Sequence, residues 1–236
     1  KELECSSYDE GSIEKVHPSK DKTRAAQQDG QWTVDIDGPY SRSASGKQYK
    51  AVFVAPSGKG TYVVYLRHKS HLLDALRTNR NIWVRETKEP MERLRLDRAG
   101  EQTSEAFKRY CGKHGIQLSY TAPGKSAGPA ETAIGVLQKA QYAMLNDYKK
   151  MHNLDKRPNY LWPEASSYAR DTRDMLPSST NDGISTYEKR TGKAPPLHKL
   201  HVWGSSVTAH VGKEQRRKGD NHGRNGRFMG FARDGD

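Results

Sequence analysis

Trp32-Thr33-Val34-Asp35-Ile36-Asp37-Gly38-Pro39 is the stretch that decides the fold. It alternates apolar and polar residues, the period of a half-buried strand, and a Gly-Pro pair stops it. Trp32, Val34 and Ile36 share one face, and Asp35 and Asp37 share the other. Tyr49 to Ala55 and Thr61 to Leu66 follow, both rich in β-branched and aromatic residues. Between them Pro56-Ser57-Gly58-Lys59-Gly60 is turn chemistry. Ser57-Gly58-Lys59 is therefore read as a hairpin turn, since a phosphate loop needs wider glycine spacing and a helix after it. The opening is a three-strand meander.

Further along, Leu72, Leu73, Leu76 and Trp83 supply the apolar side of a helix over about 71–84, closed by Pro90. Leu94 and Leu96 mark a fourth strand that ends at Asp97. Thr103 or Ser104 caps a second helix carrying Ala106, Phe107 and Tyr110, and Ile116 to Tyr120 form a fifth strand. A long helix starts near Pro129, with Ile134, Leu137, Ala140, Met144 and Tyr148 at helical spacing. Another covers Trp162 to Met175 and stops at Pro177. The order β-β-β-α-β-α-β-α-α predicts an α/β fold with an antiparallel start and parallel crossovers. From Leu200 onward, Val202-Trp203, Val207 to Val211 and Phe228 to Phe231 predict a small β module. The expected divisions are a polar linker over 1–30, a core over 31–178, a linker over 179–199 and the start of a β module over 200–236.

Composition narrows the function. Leu, Ile, Val and Phe make up 36 of 236 residues, about 15%, too few for a large greasy core. The net charge is +12, which favours a polyanionic partner over a dry metabolic pocket. No apolar run approaches the 18 or so residues of a membrane span. Cys5 and Cys111 make no disulfide framework, so a reducing compartment is expected, and Cys111 reads as buried packing. Lys1-Glu2-Leu3-Glu4 does not read as a signal peptide, and no Asn-x-Ser/Thr acceptor occurs. The nuclear or cytosolic interior is the expected location.

Three acids occupy places this layout would gather: Asp35 on the first strand, Asp97 at the carboxyl end of the fourth, and Glu131 in the first turn of the long helix. Three converging carboxylates repel unless a divalent cation lies among them. Mg²⁺ takes carboxylate oxygens and keeps waters for substrate phosphates, and two such ions suit phosphodiester chemistry. Each acid also has a plain reading, as a polar-face residue, a turn residue and a helix-start charge. Lys213, Arg216, Arg217, Lys218, Arg224 and Arg227 form a basic stretch suited to phosphate contact or to a solvated loop. Lys125, Gln138, Lys139 and Tyr142 are further candidates to face DNA.

The text around each acid resembles retroelement integrases. Trp32 to Pro39 is similar to their W-x-x-D-x-x-G-P first-strand motif, whose spacing favours Asp35 over Asp37, the competing acid on the same face. Leu96-Asp97 through Phe107 is similar to their D-N-G-x-E-F/Y-x-S-x-x-F motif, continuing through Tyr110 to Ile116. Thr121-Ala122-Pro123 and Gly128-Pro129-Ala130-Glu131 look like the run that carries their third acid. Downstream, Leu161-Trp162-Pro163-Glu164-Ala165, Met175-Leu176-Pro177-Ser178, Thr186-Tyr187-Glu188 and Thr191-Gly192-Lys193-Ala194-Pro195 resemble successive steps of copia-type retrotransposons. So do His198-Lys199-Leu200-His201-Val202-Trp203-Gly204 and Gly226-Arg227-Phe228-Met229-Gly230-Phe231.

The resemblance implies an RNase H-like mixed five-stranded sheet flanked by helices, then the start of an integrase C-terminal module. It implies that Asp35, Asp97 and Glu131 are metal-binding catalytic acids using Mg²⁺ or Mn²⁺. The implied reaction is 3′-end processing of element DNA and strand transfer into target DNA, by a homo-oligomer in a nucleoprotein assembly that works in the nucleus. The chain departs from the pattern in places. Ala55-Pro56-Ser57-Gly58-Lys59 replaces an acidic turn, and Arg98-Ala99 stands where Asn-Gly is usual. Of the N-terminal zinc module only Cys5 has a counterpart, with Tyr8 at its partner's place and His17 unconvincing as a ligand, so no zinc is expected. These departures keep a second reading open, an integrase-derived nucleic-acid-binding or structural subunit without catalysis. A ribonuclease H-type nuclease shares the fold, but the text from Leu161 onward argues against it.

Overall fold

The computed structural model describes residues 30–97, 104–121 and 128–232. The expected linker over 1–30 and Lys125 therefore lie outside the described residues, apart from Gly30. Strands β1 (Gln31–Asp37), β2 (Tyr49–Val54) and β3 (Thr61–Leu66) form the antiparallel meander read from the sequence. A single helical turn at Pro56–Gly58 joins β2 to β3. Helix α1 (Leu72–Thr87) crosses over to β4 (Arg93–Leu96), and α2 (Glu105–Lys113) crosses to β5 (Gln117–Tyr120), both strands parallel to β1. The sheet order is β3-β2-β1-β4-β5. Helices α3 (Pro129–Met151) and α4 (Trp162–Met175) cover the opposite face. Local chemistry sets the helix ends: the Ser104 hydroxyl accepts from Phe107 N at 3.3 Å to cap α2, and Pro129 opens α3.

The alternation in β1 sorts the core into two layers. Trp32 and Val34 are fully buried beneath α1 and α2, with Phe53, Leu72, Leu76, Trp83, Leu94, Leu96 and Phe107. Cys111 packs there too, and burial pushes its thiol up to about 11, so it is inert as a nucleophile at neutral pH. On the other face Val52 and Val63 meet Ile134, Leu137 and Ala169. A third cluster, around Leu145, Trp162, Tyr168 and Trp203, ties the far end of α3 to α4 and to the C-terminal segment.

Two expectations for the C-terminal part need correction. Val202-Trp203 is a turn, not a strand: Trp203 is buried against Tyr148 (5.4 Å between rings) and donates its indole N–H to Met229 O at 3.2 Å. Phe228 to Phe231 is not a strand either. The hairpin pairs β6 (Ser206–His210) with β7 (Gly223–Arg227), the basic glycine-containing run. The aromatic residues that follow are spent on packing against Tyr168 instead of on a ladder. Residues 179–199, expected as a linker, hold a short helix α5 (Thr186–Thr191) docked on the core. Arg190 pairs with Asp174 of α4 at 3.0 Å, and Asn181 Nδ2 donates to Gly58 O at 3.2 Å.

Candidate active site

Asp35 and Asp37 project from the face of β1 that α3 covers, because the opposite face is taken by Trp32 and Val34. The parallel register of β1 and β4 pairs Thr33 with Arg95. Two residues further along each chain, Asp97 comes level with Asp35 and on the same side of the sheet. Glu131 stands in the first turn of α3, a helix that packs across β1 and β2. Asp35 is half-buried, whereas Asp97 and Glu131 are exposed.

These acids act on one another. The Asp35 carboxyl is held above the usual carboxylate range, first by burial and then by the charges of Asp97, Glu131 and Asp37. A hydrogen bond from Ile36 N to its Oδ1 (2.8 Å) opposes the rise. Among the described residues no group of three or more His, Cys, Asp or Glu side chains is close enough to hold a metal ion as they stand. The donor set itself, carboxylates without thiol or imidazole, is what a hard oxygen-seeking cation takes.

Asp37 is engaged differently. Its Oδ2 lies 3.3 Å from Lys50 Nζ, accepts from Gln138 Nε2 at 2.9 Å, and also accepts the Tyr40 hydroxyl. Lys50 is fully buried, and burial pushes its ammonium down to about 8 despite the Asp37 charge. Burial and Asp37 together raise the Tyr40 phenol well above its usual range. Asp37 is thus paired within the fold, whereas Asp35 accepts from Ile36 N. Sequence reasoning missed Lys50, whose only signal was a lysine inside an apolar strand run.

The expected DNA contacts are distributed unevenly. Gln138, expected to face DNA, is half-buried on α3 and donates to Asp37 Oδ2 and to the Tyr40 hydroxyl (3.0 Å). Lys139 and Tyr142 are half-buried on α3, with the Arg157 guanidinium 4.8 Å above the Tyr142 ring. Lys213, Arg217, Lys218 and Arg224 are exposed on the β6–β7 hairpin and its connecting loop, and Arg216 is partly buried there.

Comparison with known proteins bears on the fold that carries these residues. The chain is 29% identical over 199 residues to the retrovirus-related Pol polyprotein from transposon TNT 1-94 of Nicotiana tabacum. The match covers 84% of the chain, which spans about 15% of that relative's length. Among solved structures it superposes on a chain of a simian T-cell lymphotropic virus intasome, solved with a PP2A regulatory subunit, with TM-score 0.53 and 15% identity. That superposition covers 88% of this chain and 72% of the other. An HTLV-2 integrase catalytic core domain in complex with magnesium gives TM-score 0.49 and 16% identity, over 71% of this chain and 99% of that one. No protein-family model matches the chain. The mixed five-stranded sheet with its flanking helices is the RNase H-like fold of integrase catalytic cores.

Proposed function

We propose, from the premise that the chain is a retroelement integrase-type core, that it is a divalent-metal-dependent polynucleotidyl transferase acting on DNA ends. The observation that carries this reading is geometric: the parallel β1–β4 register brings Asp97 level with Asp35, and Glu131 stands in the first turn of the helix packed across β1. Clustered carboxylates that repel one another on a basic chain are stabilised by a cation, and Asp35, Asp97 and Glu131 would hold it. Mg²⁺ or Mn²⁺ bound there supplies activation of an attacking oxygen and stabilisation of the leaving one.

The chain's own residues do the rest. Asp97 and Glu131 stand open to solvent, so a phosphodiester can approach them from outside the fold. Lys213, Arg217, Lys218 and Arg224 on the hairpin neutralise backbone phosphates and hold DNA without reading its sequence. The protein's task is to place the DNA end, with no covalent intermediate to form. Such chemistry joins two element ends to one target, which calls for more than one copy of the chain and for work in the nucleus.

A strand-transfer assay with Mg²⁺ tests this, comparing the chain with Asp97→Asn. Joined product from the parent and a loss of at least 100-fold in the variant is the expected result. Equal yields, or none above background, would sink the enzymatic reading. One observation favours the alternative of a non-catalytic nucleic-acid-binding subunit: the acids are not drawn together among the described residues. That alternative expects DNA binding by the parent with no Asp97-dependent product.

A further inference from the structure

Seven residues separate Glu131 from Gln138 on α3, two turns of helix, so both lie on one stripe about 10 Å apart. Asp35 and Asp37 are two residues apart on one face of β1, about 7 Å. The helix packs across β1, which defines two positions along the pair of elements. At one, Glu131 lies near enough to Asp35 for its charge to act on that carboxyl. At the other, Gln138 Nε2 donates to Asp37 Oδ2 at 2.9 Å and to the Tyr40 hydroxyl at 3.0 Å.

We infer that Gln138 and Asp37, backed by Lys50, form a brace that keeps the helix bearing Glu131 in register with the strand bearing Asp35. This rests on the reading of Asp35, Asp97 and Glu131 as the metal-holding acids. Three features carry it. Lys50 and Asp37 are direct partners in the β1–β2 register, so the ion pair is built into the sheet. The same lysine donates to Gln141 Oε1 at 3.4 Å, so α3 grips the pair at two points one turn apart. Lys50 and Gln141 are both fully buried, which leaves the ammonium no solvent to turn to.

Apolar packing alone would not fix this register. Ile134 and Leu137 hold α3 against Val52 and Val63, but such contacts are non-directional and tolerate a small rotation or slide. Directed hydrogen bonds to the Asp37–Lys50 ion pair do fix it. Gln138 does not reach reacting atoms in this account. It is a positioning residue, of the kind whose loss costs metal sites about 10- to 100-fold in affinity.

Mn²⁺ titration of the whole chain, followed by the EPR signal of free Mn²⁺, tests the brace alongside thermal melting. Gln138→Leu should weaken Mn²⁺ binding at least 10-fold while Tm stays within about 3 °C of the parent. The pair Asp37→Asn with Lys50→Met removes both charges but leaves an amide at position 37 to accept from Gln138. It keeps the Gln138 contact but loses the Lys50–Gln141 one, so its loss of affinity should be smaller than that of Gln138→Leu. Asp35→Asn should abolish the site. If Asp35→Asn abolishes binding and Gln138→Leu changes it less than threefold, the brace is wrong and the reading of the acids stands. If the paired variant loses as much affinity as Gln138→Leu, the charges and not the brace set the site, and the inference fails. If Asp35→Asn binds Mn²⁺ like the parent, the reading and the brace fall together.

Discussion

Lys50 sits in the middle of an apolar strand with no exposure at all, and the fold tolerates it only because Asp37 stands directly opposite. Its ammonium is pushed down to about 8 by burial, against an ordinary value of 10.5 when the chain unfolds. Between those two pH values the unfolded chain binds more protons, so folding stability rises with pH. Urea unfolding at pH 7.5 and pH 9.5 should show the parent gaining on the order of 1–2 kcal/mol relative to Lys50→Met. No gain, or a loss, would mean that burial does not weigh against the Lys50 charge in the folded chain. At this scale the sequence was unevenly informative. Asp35, Asp97 and Glu131 could be placed from strand ends and a helix start, because those positions are local. The Asp37–Lys50 partnership could not, since it depends on a cross-strand register that no short stretch encodes.

Among the elements, α3 was the most legible, with Ile134 and Leu137 facing the sheet as their spacing predicts. The same periodic reasoning did not show the hydrogen bond of Gln138 to Asp37, because a polar stripe on a helix carries no sign of the acceptor on the facing strand. The C-terminal hairpin was misread for a related reason. Phe228, Met229 and Phe231 carry the apolar signal of a strand, yet they pack on Tyr168 and Trp203, while the polar run Gly223–Arg227 forms the ladder. A two-stranded hairpin with every β7 residue exposed has no core to serve, so apolar pattern says nothing about it. Its cations have a measurable consequence. Replacing Lys213, Arg216, Arg217, Lys218 and Arg224 with alanine should weaken duplex binding uniformly across sequences. The slope of log affinity against log salt should become shallower by up to about 4. An unchanged slope would place the DNA contacts elsewhere.

Across the whole molecule, a scarcity of strong hydrophobes is resolved by concentration. The two layers on either side of the sheet and the cluster around Trp162 gather the buried Trp, Phe and Leu side chains, while the hairpin and connections dilute the average. The succession of elements and the parallel crossovers followed from the sequence because each element carries its own period. Docking of residues 179–199 did not, since it relies on single polar contacts such as Arg190 with Asp174. The +12 charge suits the polyanionic partner proposed for the chain, and the three acids are the groups to which the proposal assigns chemistry. The central claim is that β1, the end of β4 and the start of α3 bring three carboxylates to one cation. Anomalous diffraction from crystals soaked in Mn²⁺ tests it most directly. The account predicts a peak about 2 Å from carboxylate oxygens of Asp35 and Asp97, with Glu131 completing the set. Peaks only at other sites, or none beside Asp35, would contradict it.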